Sequence, residues 1–112
     1  MSFKLEDRPG CTIVHFETSK LDTLNARDLK AQMDSVVGGG KTNLVFDLSN
    51  VRFMESSGMA LLLHTNRLCK EHDGKLVNFG AQSLVWNVIK TSQLDKVLDF
   101  AEDEGQAVAR FS

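Results

Sequence analysis

Short apolar segments rich in β-branched or aromatic residues alternate along this chain with longer segments whose apolar residues recur at helical spacing. This change of period constrains the fold more than any other feature, because a strand repeats every second residue and an α-helix about every 3.6. Phe3 and Leu5 alternate with Lys4 and Glu6, Asp7-Arg8-Pro9-Gly10 supplies a turn, and Cys11 to Phe16 is apolar and β-branched; the pattern predicts a hairpin. Thr23 to Val37 changes to helical period, with Leu24, Leu29, Met33, Val36 and Val37 inward and Arg27, Asp28, Lys30 and Asp34 outward. Asp22 or Thr23 can cap that helix, and Gly38-Gly39-Gly40 stops it. Leu44 to Leu48 reads as a strand and Ser49 to Ser56 as a loop. A helix follows from Ser57 to His72, facing the core with Leu61, Leu62, Thr65, Leu68 and Cys69 and ended by Asp73-Gly74. Lys75 to Phe79 is the next strand, and Leu84 to Thr91 the next helix, with Val85, Val88 and Ile89 inward. Val97 to Phe100 is a last strand and Glu102 to Ala109 a short helix whose acidic start is solvated. Strands and helices in turn indicate an α/β sheet with parallel crossovers.

With 112 residues and no linker or repeat, the chain is expected to be a single domain spanning 1–112. Its 42% hydrophobic content suits a packed core without staples. A formal net charge of −2 gives no electrostatic footprint for nucleic acid or an anionic membrane surface. No apolar run approaches the roughly 18–20 residues of a membrane span, and Met1-Ser2-Phe3-Lys4 lacks a signal-peptide core. Cys11 and Cys69 form no CxxC pair and read as free thiols in a reducing compartment, which makes the cytoplasm the expected location.

The pattern calls for no cofactor and no metal. There is no nucleophile elbow, no phosphate loop and no dinucleotide fingerprint. His64 and His72 lie about two turns apart on one helix, too far to chelate alone, and Cys69 falls on a core stripe. The informative stretch is Asp47 to Leu61, where a strand passes through a short loop into a helix that begins at Ser56-Ser57-Gly58. Exits from the carboxyl ends of parallel strands are where such sheets place their sites. Here either serine can be the helix N-cap, and Met59 in place of Glu or Gln removes the capping-box version for Ser56.

Phe53-Met54-Glu55-Ser56-Ser57-Gly58-Met59 resembles the (F/Y)-M-D-S-(S/T)-G-L signature of the bacterial anti-sigma-factor antagonists, the stand-alone STAS-domain proteins. Val45-Phe46-Asp47-Leu48-Ser49-Asn50-Val51 is similar to the family's D-L-S-x-V segment, and Leu21-Asp22 with Ala26 and Leu29 to its L-D-x-x-x-A-x-x-L segment. Asp73-Gly74-Lys75-Leu76 and Ser92 to Val97 resemble two further segments in the same order. Glu55 keeps the charge of the usual Asp with one more methylene, whereas Ser19-Lys20 replaces Gly-Glu and makes an acidic position basic.

The resemblance implies a STAS fold: a central mixed sheet of about five strands, an initial hairpin, then alternating helices packed mainly on one face. It implies that the protein catalyses nothing itself. In its unmodified form it would bind an anti-sigma factor that is also a serine kinase of the histidine-kinase-like ATPase fold, and so release a sigma factor. Phosphorylation of Ser56 would block that binding, and a PPM-type serine phosphatase would reset it. The implied contact surface comprises Asp22, Glu55, Ser56, Ser57 and Gly58. Asp22 serves equally as an N-cap. Met59 and Leu63, off the core stripe, are either a partner patch or partly buried, and Trp86 either a binding anchor or a half-buried packing residue. The alternative is a STAS module controlling a transporter complex, a secretion regulator or a cyclase.

Overall fold

Leu44, Val45 and Phe46 have no exposed surface, so the strand that carries them is covered on both faces. The computed structural model describes residues 2–112; Met1, part of the N-terminal stretch read above, lies outside the described residues. In chain order the elements are β1 (Phe3–Arg8), β2 (Cys11–Phe16), β3 (Lys20–Leu21), α1 (Thr23–Gly38), β4 (Asn43–Asp47) and β5 (Phe53–Met54). They continue with α2 (Ser56–Glu71), β6 (Lys75–Phe79), α3 (Ser83–Thr91), β7 (Asp99–Phe100) and α4 (Glu104–Ala109). The main sheet has the order β1-β2-β4-β6-β7. β1 and β2 form the predicted antiparallel hairpin, and every other pairing is parallel, which makes the sheet mixed.

Alternation along the strands divides the core. Val14, Phe16, Leu44, Phe46 and Leu76 face α1, α2 and α3, against Leu29, Met33, Leu61, Leu62, Val85 and Ile89. Ile13, Val45, Val77 and Phe79 face the other way, against Ala107 of α4. Three helices thus cover one face and a single short helix the other, as the sequence reading expected. Phe16 and Phe46 meet edge to face with centroids 4.9 Å apart in the centre of the larger layer.

Several local expectations change. Leu24 is 92% exposed, not inward. The buried residues of α1 are Ala26, Leu29, Met33 and Val37, and at about 100° per residue Leu24 lies roughly 200° round the helix from Ala26. Leu68 and Val88 are half-buried where full burial was expected, and Asn66 is buried instead. Val97 is 58% exposed and outside any strand, because a tight 3-10 turn at Leu94–Lys96 shortens the last strand to two residues. α4 begins at Glu104, two residues later than read, where the Asp103 side chain accepts from the Gln106 amide. Neither β3 nor β5 was foreseen; two residues are too few to show a period.

On the α4 face a polar network closes the small core. His15 stands between two carboxylates, with Nδ1 2.6 Å from Asp47 and Nε2 2.8 Å from Glu6. Asp47 also accepts from the Ser49 amide and hydroxyl at 3.0 and 2.6 Å. Burial works against charging His15, but its bonds to Asp47 and Glu6 together outweigh this and hold its pKa above the ordinary 6.5. Burial likewise opposes the Asp47 anion, yet Ser49 and His15 together hold its pKa below 3.8. Both cysteines are buried and free, and burial pushes the Cys69 thiol up to about 11, which makes it an apolar packing group.

The linkage sign follows. The His15 contribution is fully present below its unfolded pKa and is lost as pH rises through the raised folded value, and the Asp47 contribution is lost as pH falls through its depressed one. The difference in Tm between wild type and His15→Gln, followed by circular dichroism, should therefore be largest between these limits and shrink on the alkaline side of neutrality. A difference that stays constant from pH 5 to 9 contradicts the assignment.

Candidate functional site

Two crossovers leave the main sheet through the same short device. β2 leads into β3 and then α1; β4 leads through a loop into β5 and then α2. β3 and β5 pair in parallel, Lys20 opposite Phe53 and Leu21 opposite Met54, and the Glu55 amide donates to Leu21 O at 2.9 Å. This ladder sets the first turns of α1 and α2 side by side.

The two helix starts are capped unequally. Asp22 is the N-cap of α1, accepting from the Leu24 and Asn25 amides at 3.0 and 3.3 Å, while Asn25 Oδ1 accepts from the Asp22 amide at 3.1 Å. This reciprocal pair is a capping box with Asn in the third position. The N-cap of α2 is Glu55, not either serine, and Ser56 is the first helical residue. Glu55 makes no side-chain cap bond to its own helix. Its carboxylate reaches across to α1 and accepts from the Thr23 amide at 3.3 Å, a span the extra methylene helps to bridge. Two carboxylates therefore serve the positive end of α1, and among the described residues no side chain caps that of α2.

Ser56 is exposed and its hydroxyl makes no hydrogen bond among the described residues. Ser57 differs: its Oγ is buried and has no partner among the described residues. Gly58 explains itself by contact. A Cβ there would lie 2.7 Å from Leu21 Cβ, 2.8 Å from Leu21 O and 2.8 Å from Met54 Cγ. Only a residue without a side chain lets α2 start against the ladder.

Of the residues read from the sequence, Asp22, Glu55, Ser56, Ser57 and Gly58 thus meet at the paired helix starts. Met59 and Leu63 follow on α2, half-buried against the larger core. Met59 also lines a groove with Leu84 and Val88 of α3. Trp86 stands apart, packed edge to face on Phe100 with centroids 5.1 Å apart. Sequence reading took Leu21 only as a motif residue and Thr23 only as a possible cap, and it missed Asn25, although Asn25 three residues after Asp22 carried the signal of a capping box.

A second cluster lies on the α4 face, where ligand atoms of Glu6, His15 and Glu104 are within 4.8 Å of one another. Arg8 stands 2.9 Å from Glu104 and 3.3 Å from Glu6, so a guanidinium already occupies the place of a cation. No helix among the described residues is long and apolar enough to cross a membrane.

Fold and site together define an α/β domain that presents a surface serine at a helix start. The chain belongs to the STAS domain family, whose model matches residues 2–107. It is 24% identical over 109 residues to an anti-sigma F factor antagonist of Paenibacillus polymyxa, covering 96% of this chain and 92% of that relative. An anti-sigma factor antagonist from Mycobacterium paratuberculosis shares the fold with a TM-score of 0.85 at 24% identity, covering 97% of this chain and 92% of its own. SpoIIAA in its unphosphorylated form gives a TM-score of 0.80 at 23% identity over 96% and 94% of the two chains. The phosphorylated form of that Bacillus cell-fate determinant gives 0.72 at 21% identity over 98% and 99%.

Replacing Gly58 by Ala should cost about 1–3 kcal/mol, because the added methyl meets backbone on β3. On thermal melts this is a fall in Tm on the order of 5–10 °C with an unchanged fold by far-UV circular dichroism. An unaltered Tm contradicts the close approach.

Proposed function

We propose that this protein is an anti-sigma-factor antagonist that works by partner switching, as one cytoplasmic domain spanning residues 1–112. Unmodified, it binds an anti-sigma factor that is also a serine kinase of the histidine-kinase-like ATPase fold, and so frees the sigma factor. The kinase transfers the γ-phosphoryl group of ATP to Ser56 Oγ, the hydroxyl proton is released and ADP leaves. The modified form no longer binds, and a PPM-type serine phosphatase hydrolyses the phosphoester. The domain is substrate and competitor, not enzyme.

One observation carries this reading: Ser56 offers an exposed, unengaged hydroxyl at a helix start that no side chain caps. A phosphate adds roughly −1.5 to −2 charges. Within the molecule the open amides and macrodipole of α2 stabilise such an anion by about 0.3–1 kcal/mol, which offsets repulsion from Glu55. Across an interface the same dianion brings like-charge and desolvation costs of several kcal/mol, or orders of magnitude in affinity. The fold is kept and the partner is lost. Ser57, with its Oγ buried, is a poor acceptor by comparison. The anti-sigma F factor antagonist relative and the SpoIIAA structures support the same role.

Lys20, basic and exposed where the antagonist signature is acidic, favours the second reading of a STAS module with a transporter, secretion or cyclase target. The experiment that separates them uses the purified kinase with labelled ATP. Wild type should gain one phosphate and Ser56→Ala none, and Ser56→Asp should keep the Tm within a few degrees while losing at least about tenfold in partner affinity. Label on Ser57, or unfolding of Ser56→Asp, defeats the proposal. Recovery of a transporter subunit with no such ATPase from native cells supports the second reading.

A further inference from the structure

The main sheet ends unequally. β7 stops after two residues, whereas β1 lies at the other edge with six, of which Lys4 to Asp7 are exposed. In an antiparallel pair, residues that exchange bonds with the neighbour alternate with residues whose backbone groups turn away. The Glu17 amide donates to Ser2 O at 2.7 Å, so in this register Ser2, Lys4, Glu6 and Arg8 face β2. The N–H and C=O groups of Phe3, Leu5 and Asp7 therefore point out of the sheet. Among the described residues no backbone group from outside the hairpin reaches them. Such an edge is a ready template for another strand.

Side-chain alternation gives this edge two different faces. Leu5 stands opposite the fully buried Val14 yet is 41% exposed, so the larger core layer runs out at the edge. Beside it Phe3, Leu5 and Val36 line an open groove of about 680 Å³ against α1. Lys4, Glu6 and Arg8 stand on the opposite face. Lys4 is 3.4 Å from Glu17 with its side chain 75% exposed, and the Glu6 carboxylate is shared by His15 and Arg8.

We propose that β1 is the surface through which two copies of this chain pair, antiparallel, into one continuous sheet. A two-fold axis normal to the sheet keeps like faces together, and only residues with outward backbone groups exchange bonds across it. Phe3, Leu5 and Asp7 must therefore pair among themselves, and the charges choose the register. With Leu5 opposite the partner's Leu5, Phe3 meets the partner's Asp7 and Lys4 meets the partner's Glu6. The two Leu5 side chains then cover each other beside the groove, and each Lys4–Glu6 contact joins opposite charges. Sliding the partner by two residues one way sets Lys4 on the partner's Lys4. Sliding it the other way sets Glu6 on the partner's Glu6 and Lys4 on the partner's Arg8. Like charges directly opposite destabilise a strand pair, so one register remains. Charges that blunt this edge against a foreign strand thus admit a second copy in one position. A six-residue edge is a small interface, so the dimer is weak and depends on concentration. None of Asp22, Glu55, Ser56, Ser57 and Gly58 lies on β1 or lines its groove, so the dimer does not depend on partner switching.

Sedimentation equilibrium over a concentration series and backbone amide exchange by NMR test this on the full chain. Wild type should pass from monomer to dimer as concentration rises. Over the same range, in the unaltered protein, the amides of Phe3, Leu5 and Asp7 should gain protection. Those of Lys4 and Glu6, already bonded to β2, should not change. Lys4→Glu should weaken the dimer about tenfold, because the two-fold axis repeats the contact. Mixed with Glu6→Lys, it should associate more tightly than either variant does alone. A wild-type chain that stays monomeric up to about 1 mM overturns the inference. So does a dimer whose outward amides stay unprotected, or one that Lys4→Glu leaves as tight as wild type. Species larger than a dimer indicate head-to-tail addition and overturn it as well.

Discussion

The pairing of Lys20–Leu21 with Phe53–Met54 is the contact on which the functional end of this molecule depends. Each segment lies between a strand of the main sheet and the helix that returns over it. Joining them aligns two helix starts that are distant in the chain. Gly58 makes the junction possible, because a single methyl there would collide with the backbone of Leu21. A short ladder of two residues on each side therefore decides where Ser56 stands, and the larger core underneath keeps the ladder in place.

The same junction settles the local electrostatics. A helix start attracts anions, and two such starts side by side compete for the carboxylates nearby. Asp22 and Glu55 both serve α1, so α2 opens with bare amides beside an exposed hydroxyl. Were Glu55 to cap its own helix, the positive end would already be satisfied and an added anion would meet only repulsion.

The opposite face is stabilised by different means. Its apolar layer is small, and the His15–Asp47–Ser49 network closes the margin at the carboxyl end of β4. Ser49 begins the loop that leads to the serine pair. The network therefore fixes the departure point of the loop while the β3–β5 ladder fixes its arrival. Between these two anchors run only Asn50, Val51 and Arg52, and Val51 is fully buried.

Much of this was legible in the order of residues. Period alone separated the hairpin, the three larger helices and the central strands, because burial on one or both faces writes itself into the spacing of Val14, Phe16, Leu44, Phe46, Leu61 and Leu62. The motif around Glu55-Ser56-Ser57-Gly58 marked the site, and Asp22 was a candidate cap on local grounds. What the sequence could not carry were facts created by contact between distant segments. Leu24 has the right residue type for a core and the wrong angle on α1. β3 and β5 are too short to show a period and exist only because each supplies the other's hydrogen bonds. Glu55 leaves its own helix for Thr23 because that amide is close in space and not in the chain. Sequence by itself determined the elements and the residue types at the site. Tertiary structure alone decided which carboxylate faces which helix and which serine is exposed, because these follow from distances across chain-remote segments that no local pattern encodes.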